Sequence, residues 1–274
     1  MFKIPARDRI WEIDRPQVMG IMNATKDSFY DASRIDDISW AIEKAGQFIS
    51  QGASIIDIGG QSTRPGAELL SAQDEIQNVV PIIEAICAAF PKVLISIDTY
   101  HSRVAEAALK AGAHIVNDIS CGSFDTGMFK IVADNNAGYI GMHITGTMQT
   151  MHEIPNRINV VDDVIVYFKQ KQVELTKWGI NNWVIDPGFG FGKTIQENFT
   201  LVKALSKFSV LNLPILLGVS RKSSICKTLG VDAKDALNGT TAVNTVGLLN
   251  GASVLRVHDV KEAKQIVDLL PFLY

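Results

Sequence analysis

Short apolar runs alternate along this chain with longer stretches of helical periodicity. The runs lie at 18–22, 55–58, 93–97, 115–116, 139–142, 183–185, 215–217 and 254–255. They are too short for helices and lack strict polar alternation, which predicts parallel strands buried on both faces. Their starts are 22 to 44 residues apart, room for a crossover helix each time. Between them, Ile38, Ile42, Ala45 and Ile49 share one helical face, as do Val161, Ile165, Phe168 and Leu175. Ile76, Val80, Ile83, Cys87 and Phe90 form a third stripe, which makes Cys87 a core thiol. Ser71 with Asp74 opens one helix as a capping signature, and Asp259 with Glu262 is a looser version before the last. Pro81 is expected to kink the helix that contains it. Eight βα units predict an α/β fold in one domain, 1–274: a single (β/α)8 TIM barrel with its active site at the C-terminal ends of the strands. A doubly wound open sheet is the alternative.

Composition narrows the partners. Of 274 residues, 47% are hydrophobic and 20% charged, with a net charge of −3. That balance excludes intrinsic disorder, and the mild acidity argues against nucleic acid or an anionic membrane surface. No stretch approaches the ~20 apolar residues of a membrane span. The start, 1–9 (MFKIPARDR), is basic without the apolar run of an export signal. Cys87, Cys121 and Cys226 have no C-x-x-C spacing, so neither a disulfide framework nor a zinc site is expected, and the cytoplasm is the default location.

The predicted strands end in polar groups, often beside glycine. In chain order these are Asn23, Asp57 before Gly59 and Gly60, Asp98, Asn117 with Asp118, His143, Asp186, Gly218 leading to Ser220, Arg221 and Lys222, then Arg256 and His258. In a barrel these ends meet at one mouth. Asp98, Asn117, Asp186 and Lys222 mix acceptors and donors, suiting a flat polar heterocycle. Taken singly, Lys222 also reads as a surface lysine or a Schiff-base former, and Asp186 as a turn former before Pro187. Arg256, His258, Asn23 and 62–66 (STRPG) suit an anion such as phosphate, although Arg256 alone is as well explained by a structural ion pair. The run 186–194 (DPGFGFGKT) resembles a nucleotide loop but has Pro187 where a Walker A motif needs glycine. Its glycines more simply let backbone approach a ligand, with Phe189 or Phe191 as a stacking face. His101, His114 and His152 lack metal-ligand spacing, whereas a magnesium ion on Asn23 and diphosphate oxygens fits hard-ligand preferences.

These motifs, in this order, resemble the dihydropteroate synthase family, the folate-pathway enzymes that sulfonamides inhibit. The resemblance rests on 20–29 (GIMNATKDSF), 57–66 (DIGGQSTRPG), 96–99 (SIDT), 116–119 (VNDI), 141–147 (GMHITGT), 186–194 (DPGFGFGKT), 218–223 (GVSRKS) and 256–260 (RVHDV), nearly the whole chain. It implies condensation of para-aminobenzoate with a dihydropterin methyl diphosphate. It assigns Asp98, Asn117, Met142, Asp186, Gly218 and Lys222 to the pterin, and Asn23, Thr63, Arg256 and His258 to the diphosphate. Thr63, Arg64, Pro65, Phe191, Ser220 and Lys222 fall to para-aminobenzoate, and Asn23 and Asp31 to Mg2+. Asp98, Lys222, Arg256 and His258 are the residues expected to carry catalysis, with loops after the first two strands closing over them. A cytoplasmic homodimer is also implied, as is a stand-alone enzyme without a fused pyrophosphokinase. Departures from the family pattern are Lys26 for proline, Gln61 for glutamate, Ile144, Thr145 and Met148 beside Gly146, and Glu197 for histidine. The nearest rivals are a corrinoid-type pterin methyltransferase, a lysine Schiff-base aldolase and a non-catalytic pterin binder.

Overall fold

Alternation along the strands sorts the interior into two cores. The computed structural model describes residues 1–24, 34–61, 70–146, 150, 153 and 157–273. Every expected run is a strand: β3 (Gln17–Asn23), β4 (Ile55–Gly59), β5 (Leu94–Asp98), β6 (Ile115–Asp118), β7 (Gly138–Met142), β8 (Val184–Asp186), β9 (Leu216–Leu217) and β10 (Val254–Val257). They pair in parallel in the order β8-β7-β6-β5-β4-β3-β10-β9. Ile185 pairs with Ile215 just ahead of β9, and the Ile185 amide donates to the Pro214 carbonyl at 3.0 Å, so the sheet closes into a barrel. Helices α1 (Arg34–Ser50), α2 (Ala72–Ala89), α3 (Ser102–Ala111), α4 (Met128–Asp134), α5 (Val160–Thr176), α6 (Ile195–Lys203), α7 (Ser223–Leu229), α8 (Leu237–Leu249) and α9 (Val260–Leu273) fill the connections.

Outward strand residues such as Val18, Ile56, Ile95, Val116, Ile185 and Leu255 pack against the helices in the larger core. Inward residues Met19, Ile55, Ile115, Ile140, Val184, Leu216 and Val254 form a second apolar layer at the start of the strands. Two residues further on, the same face carries Asp57, Asn117, Met142, Asp186, Gly218 and Arg256, because side chains two apart share a face. The barrel therefore has an apolar floor and a polar mouth.

An unexpected hairpin seals that floor. β1 (Phe2–Ala6) and β2 (Arg9–Ile13) pair antiparallel, and Ile4, Ala6, Trp11 and Ile13 pack into the inner apolar layer. The hairpin's signal is alternation: Ile4, Ala6, Trp11 and Ile13 are buried, whereas Lys3, Ile10 and Glu12 are exposed. The Trp11 indole donates to Gln17 Oε1 at 2.8 Å, and the Arg7 amide to the Asn136 carbonyl at 2.7 Å, fixing the hairpin against the barrel.

Local details refine the expected faces and caps. The face of α1 that is fully buried is Ala41, Ala45 and Phe48, with Ile38, Ile42 and Ile49 at its half-buried edge. α2 begins as expected, the Asp74 amide donating to Ser71 Oγ at 3.2 Å, and continues as one helix past Pro81. Asp259, just before α9, accepts from Arg221 with both carboxylate oxygens. Among the described residues no helix is long and apolar enough to cross a membrane.

Candidate active site

Asp57, fully buried on β4, is the hub of the mouth. Its Oδ2 accepts from Arg256 Nε at 2.6 Å and from Asn117 Nδ2 at 3.0 Å, while a second Arg256 nitrogen bonds Asp98. Asp57 Oδ1 is buried without a hydrogen-bond partner among the described residues. The sequence pattern places Asp57 among the polar groups of the mouth without assigning it a ligand. Its inward parity, two positions beyond Ile55, was the available signal. Arg256, expected with the anion-binding groups, is held down among the acids.

Asp186 Oδ1 accepts from the Gly188 amide at 2.7 Å. A Cβ placed on Gly218 would lie 3.7 Å from Asp186 Oδ2 and 3.9 Å from Arg256 Cβ, so this glycine leaves floor space between acid and cation. Lys222 precedes α7, donates from Nζ to the Phe189 carbonyl at 2.5 Å and lies 4.7 Å from the centre of the Phe191 ring. Five predicted residues, Asp98, Asn117, Asp186, Lys222 and Arg256, thus line one mouth. Met142 and Phe191 add an apolar wall with Tyr100, Ile119 and Ile144.

Burial dominates the electrostatics. It pushes the Asp98 carboxyl up to about 7, against the pull of Arg256 and with the push of Asp57. Asp186 is likewise raised by burial, opposed first by Lys222. Lys222 is pushed down to about 8 by burial, although Asp186 favours its charge. Burial alone would lower Arg256, but Asp57 and Asp98 more than offset it and hold the guanidinium above the ordinary arginine range.

On the rim, the exposed His258 meets Ser220: its amide donates to Ser220 Oγ at 3.2 Å, and its Nδ1 lies 3.0 Å from the same hydroxyl. Next to it, Arg221 grips Asp259 with two bonds of 2.9 and 2.7 Å, which tie the turn after β9 to the turn after β10. Asn23 ends β3 opposite Gly59. Thr63, Arg64, Pro65 and Asp31 lie outside the described residues, as do Lys26, Met148 and His152.

The glycine run after β8 is a self-stapled loop. Gly188, Gly190 and Gly192 have φ of 74°, 87° and 54°, and a Cβ on Gly188 would stand 2.1 Å from the His143 carbonyl oxygen. Lys193 turns inward instead of reaching for a phosphate. Its ammonium donates to the carbonyls of Gly188 at 2.8 Å and Phe191 at 3.0 Å, and to His143 Nδ1 at 3.0 Å. Burial lowers Lys193 to about 7 and holds His143 well below the ordinary histidine range. Phe189 is a core residue packed on Phe199, leaving Phe191 as the ring at the mouth.

Two other strand-end residues do not join the site. His143 faces Tyr167 and Phe168 behind the barrel wall. Asp118 also points outward, accepting from Ser120, Gly122 and Tyr139. Two departures from the family pattern have local partners: Gln61 Oε1 accepts from the Leu70 amide at 2.7 Å, and Glu197 closes a capping box with Thr194.

For a metal, the described residues contain no group of three or more His, Cys, Asp or Glu able to hold an ion. Asn23 offers one hard oxygen donor on the rim. That fits magnesium dressed mainly by phosphate oxygens and water, not an all-protein cage.

Residues 19–258 match the family described as pterin binding enzyme. The dihydropteroate synthase of Escherichia coli K12 is 40% identical over 262 residues, covering 95% of this chain and 92% of the relative. The structure of Xanthomonas albilineans dihydropteroate synthase with 4-aminobenzoic acid superposes with a TM-score of 0.90 at 32% identity, covering 100% of this chain and 98% of that one. The same organism's enzyme in complex with 7,8-dihydropteroate gives a TM-score of 0.88 at 31% identity, with coverage of 99% and 98%. With a family match from the first barrel strand to the end of the last, and a relative this similar over nearly its full length, the chain belongs to the pterin binding enzymes of the dihydropteroate synthase family.

Proposed function

We propose that the protein is a transferase, a dihydropteroate synthase, which condenses 6-hydroxymethyl-7,8-dihydropterin diphosphate with para-aminobenzoate to give 7,8-dihydropteroate and diphosphate. The observation that carries this reading is the convergence of Asp98, Asn117, Asp186, Lys222 and Arg256 on one mouth above an apolar floor. A dihydropterin edge presents donors and acceptors side by side, and these residues offer the complementary set. A ligand lacking one of those groups leaves a buried partner unpaired, at about 1–3 kcal/mol.

In the reaction, the bond between the pterin methylene carbon and the diphosphate oxygen breaks, and its electron pair leaves with diphosphate. Positive charge develops on the pterin methylene, where Asp98 and Asp186 oppose it. Negative charge develops on the leaving group, which His258 at the rim and the Arg256 guanidinium, although already bonded to Asp57 and Asp98, would stabilise. The neutral aniline nitrogen supplies the pair for the new C–N bond and then releases a proton, so no strong general base is needed. Asn23, with Asp31, would hold magnesium, which when bound neutralises part of the diphosphate charge. Ser220, Phe191 and Lys222 fall to para-aminobenzoate in this reading, and Thr63, Arg64 and Pro65, outside the described residues, are assigned to it by the resemblance alone. A homodimer in the cytoplasm belongs to the same proposal.

The test is to supply both substrates with magnesium and look for dihydropteroate. Equimolar dihydropteroate and diphosphate are expected. Tight pterin binding without either product would leave only a binding protein, and borohydride trapping of a substrate on Lys222 would favour an aldolase.

A further inference from the structure

Asn198 is fully buried in the first turn of α6 and belongs to no substrate cluster, yet every polar atom of its amide is used. Its Oδ1 accepts from the Gly190 amide at 2.7 Å. Its Nδ2 donates to Ser224 Oγ at 2.9 Å and lies 3.5 Å from the Lys193 carbonyl. One side chain thus joins the glycine loop after β8 to the first turn of α7.

Those two segments enclose Lys222. The loop supplies the Phe189 carbonyl that holds Nζ, the Phe191 ring beside it, and Gly190, where a Cβ would come within 3.1 Å of Lys222 Cδ. The helix supplies the backbone position, Lys222 being its N-cap. We propose that Asn198 is the positioning residue for Lys222, setting the spacing between loop and helix so that the ammonium stays desolvated and aimed at the substrate ring. An amide serves all three partners: it accepts from the Gly190 N–H and donates towards Ser224 Oγ and the Lys193 carbonyl. A carboxylate could accept from Gly190 and from the Ser224 hydroxyl, but it would set a buried charge against the Lys193 carbonyl, and an aliphatic chain makes none of these bonds.

Losing the link separates the two walls and lets more water reach the ammonium of the half-buried Lys222. Burial is the main force lowering Lys222, against Asp186 and Asp98 and with Arg256. Solvation therefore moves its deprotonation upward, towards the ordinary lysine range. A purely structural asparagine would lower the melting temperature and leave that titration in place.

The inference rests on the proposed synthase activity, and the experiment separates the two. The full-length protein and its Asn198→Ala, Ser224→Ala and doubly substituted forms are assayed with dihydropterin diphosphate, para-aminobenzoate and magnesium across pH 6–10. Each single substitution is expected to raise KM for the pterin diphosphate about tenfold, the worth of one net hydrogen bond, with a smaller change in kcat. Each should also shift the alkaline limb of kcat/KM to higher pH, and the double variant should be no worse than the worse single one. Folded single variants with an unmoved alkaline limb and unchanged KM would overturn the proposal, as would strictly additive losses. If Asn198→Ala does not fold, Ser224→Ala decides alone. Absence of dihydropteroate from the unsubstituted protein would instead overturn the activity itself.

Discussion

Arg256 and Asp57 are 199 positions apart in the chain, on strands that flank β3, and meet at 2.6 Å between Nε and Oδ2. The contact holds the guanidinium low in the mouth, where a second nitrogen bonds Asp98. One cation thereby neutralises two acids that would otherwise repel each other, and Asp57 also fixes the Asn117 amide. Asp57 is accordingly a support for three predicted ligand-binding side chains.

Asp57→Asn keeps the shape and removes the charge. It leaves Arg256 paired with Asp98 alone and forces an amide to face the donors of Asn117 and Arg256. Breaking a buried pair costs about 3–5 kcal/mol, and the remaining partner and partial exposure of Arg256 bring the expected loss to about 2–3 kcal/mol in urea unfolding. Turnover per bound pterin should fall as well. Unchanged stability and unchanged kcat/KM would show that Arg256 is held by Asp98 without help.

Activity should follow a narrow bell in pH. The ionised form of Asp98 is needed opposite a developing cation, and burial has raised this group to about 7, so activity falls as pH drops through that value. The charged form of Lys222 is needed on the ring, and burial has lowered it to about 8, so activity falls again above that value. Because the two groups interact, the limbs of kcat/KM report the pair and not each residue separately. A flat profile from pH 6 to 9 would contradict both assignments.

Asp98→Asn separates charge from shape. The asparagine can still accept one hydrogen bond from a pterin, but it cannot oppose the cation that forms when the carbon–oxygen bond breaks. Expected is a fall in kcat of about 10²-fold or more with KM for the pterin diphosphate changed only a few-fold, the pattern of an interaction made mainly in the transition state. Equal losses in both constants would place the Asp98 contact in the ground state.

How far the chain discloses its site depends on the kind of signal. The strands were legible because buried parallel strands are short apolar runs, and Asp98, Asn117, Asp186 and Lys222 followed because strand ends converge in a barrel. Parity was needed for the rest. Asp118 and His143 also end strands but face the helices, where Tyr139 and Lys193 satisfy them. Asp57 sits mid-strand among hydrophobic residues and faces inward. Phe189 and Phe191 are likewise two apart, and the left-handed glycines between and around them send one to the core and one to the mouth. Lys193 was legible as half of a Gly-Lys pair, but not that three inward acceptors would claim its ammonium.

The floor of the barrel should make stability sensitive to acid. His114 Nδ1 accepts from the Ile95 amide at 3.2 Å, which requires an unprotonated nitrogen. Burial lowers the group to about 4, helped by Arg9 and Arg7 and opposed by Asp8. An unfolded histidine titrates near 6.5, so the unfolded chain takes up the proton first. This contribution is complete above pH 6.5, declines as pH falls from 6.5 to 4, and is gone below. His114→Gln, which keeps an acceptor without a titration, should flatten that part of the urea-unfolding profile. Equal slopes in the two proteins would locate the acid sensitivity elsewhere.

The hairpin supports the mouth from the opposite end of the barrel. Trp11 is 1% exposed, fills the floor beside Met19, Ile55 and Val254, and anchors its indole on Gln17, the first residue of β3. Removing the ring leaves a cavity directly beneath the layer that carries Asp57 and Arg256, and a tryptophan-to-alanine change of this kind costs about 3–5 kcal/mol. Trp11→Phe retains the volume in large part and loses the indole donor, at about 1–2 kcal/mol. Both variants should lose stability in that order. Because Trp11 belongs to the layer at the start of the strands and the acids lie two residues further on, kcat/KM of the folded fraction should change less than threefold in Trp11→Phe. A large catalytic loss in Trp11→Phe with near-normal unfolding would mean that the floor sets the geometry of the acids, and that the hairpin is part of the active site's scaffold instead of a seal.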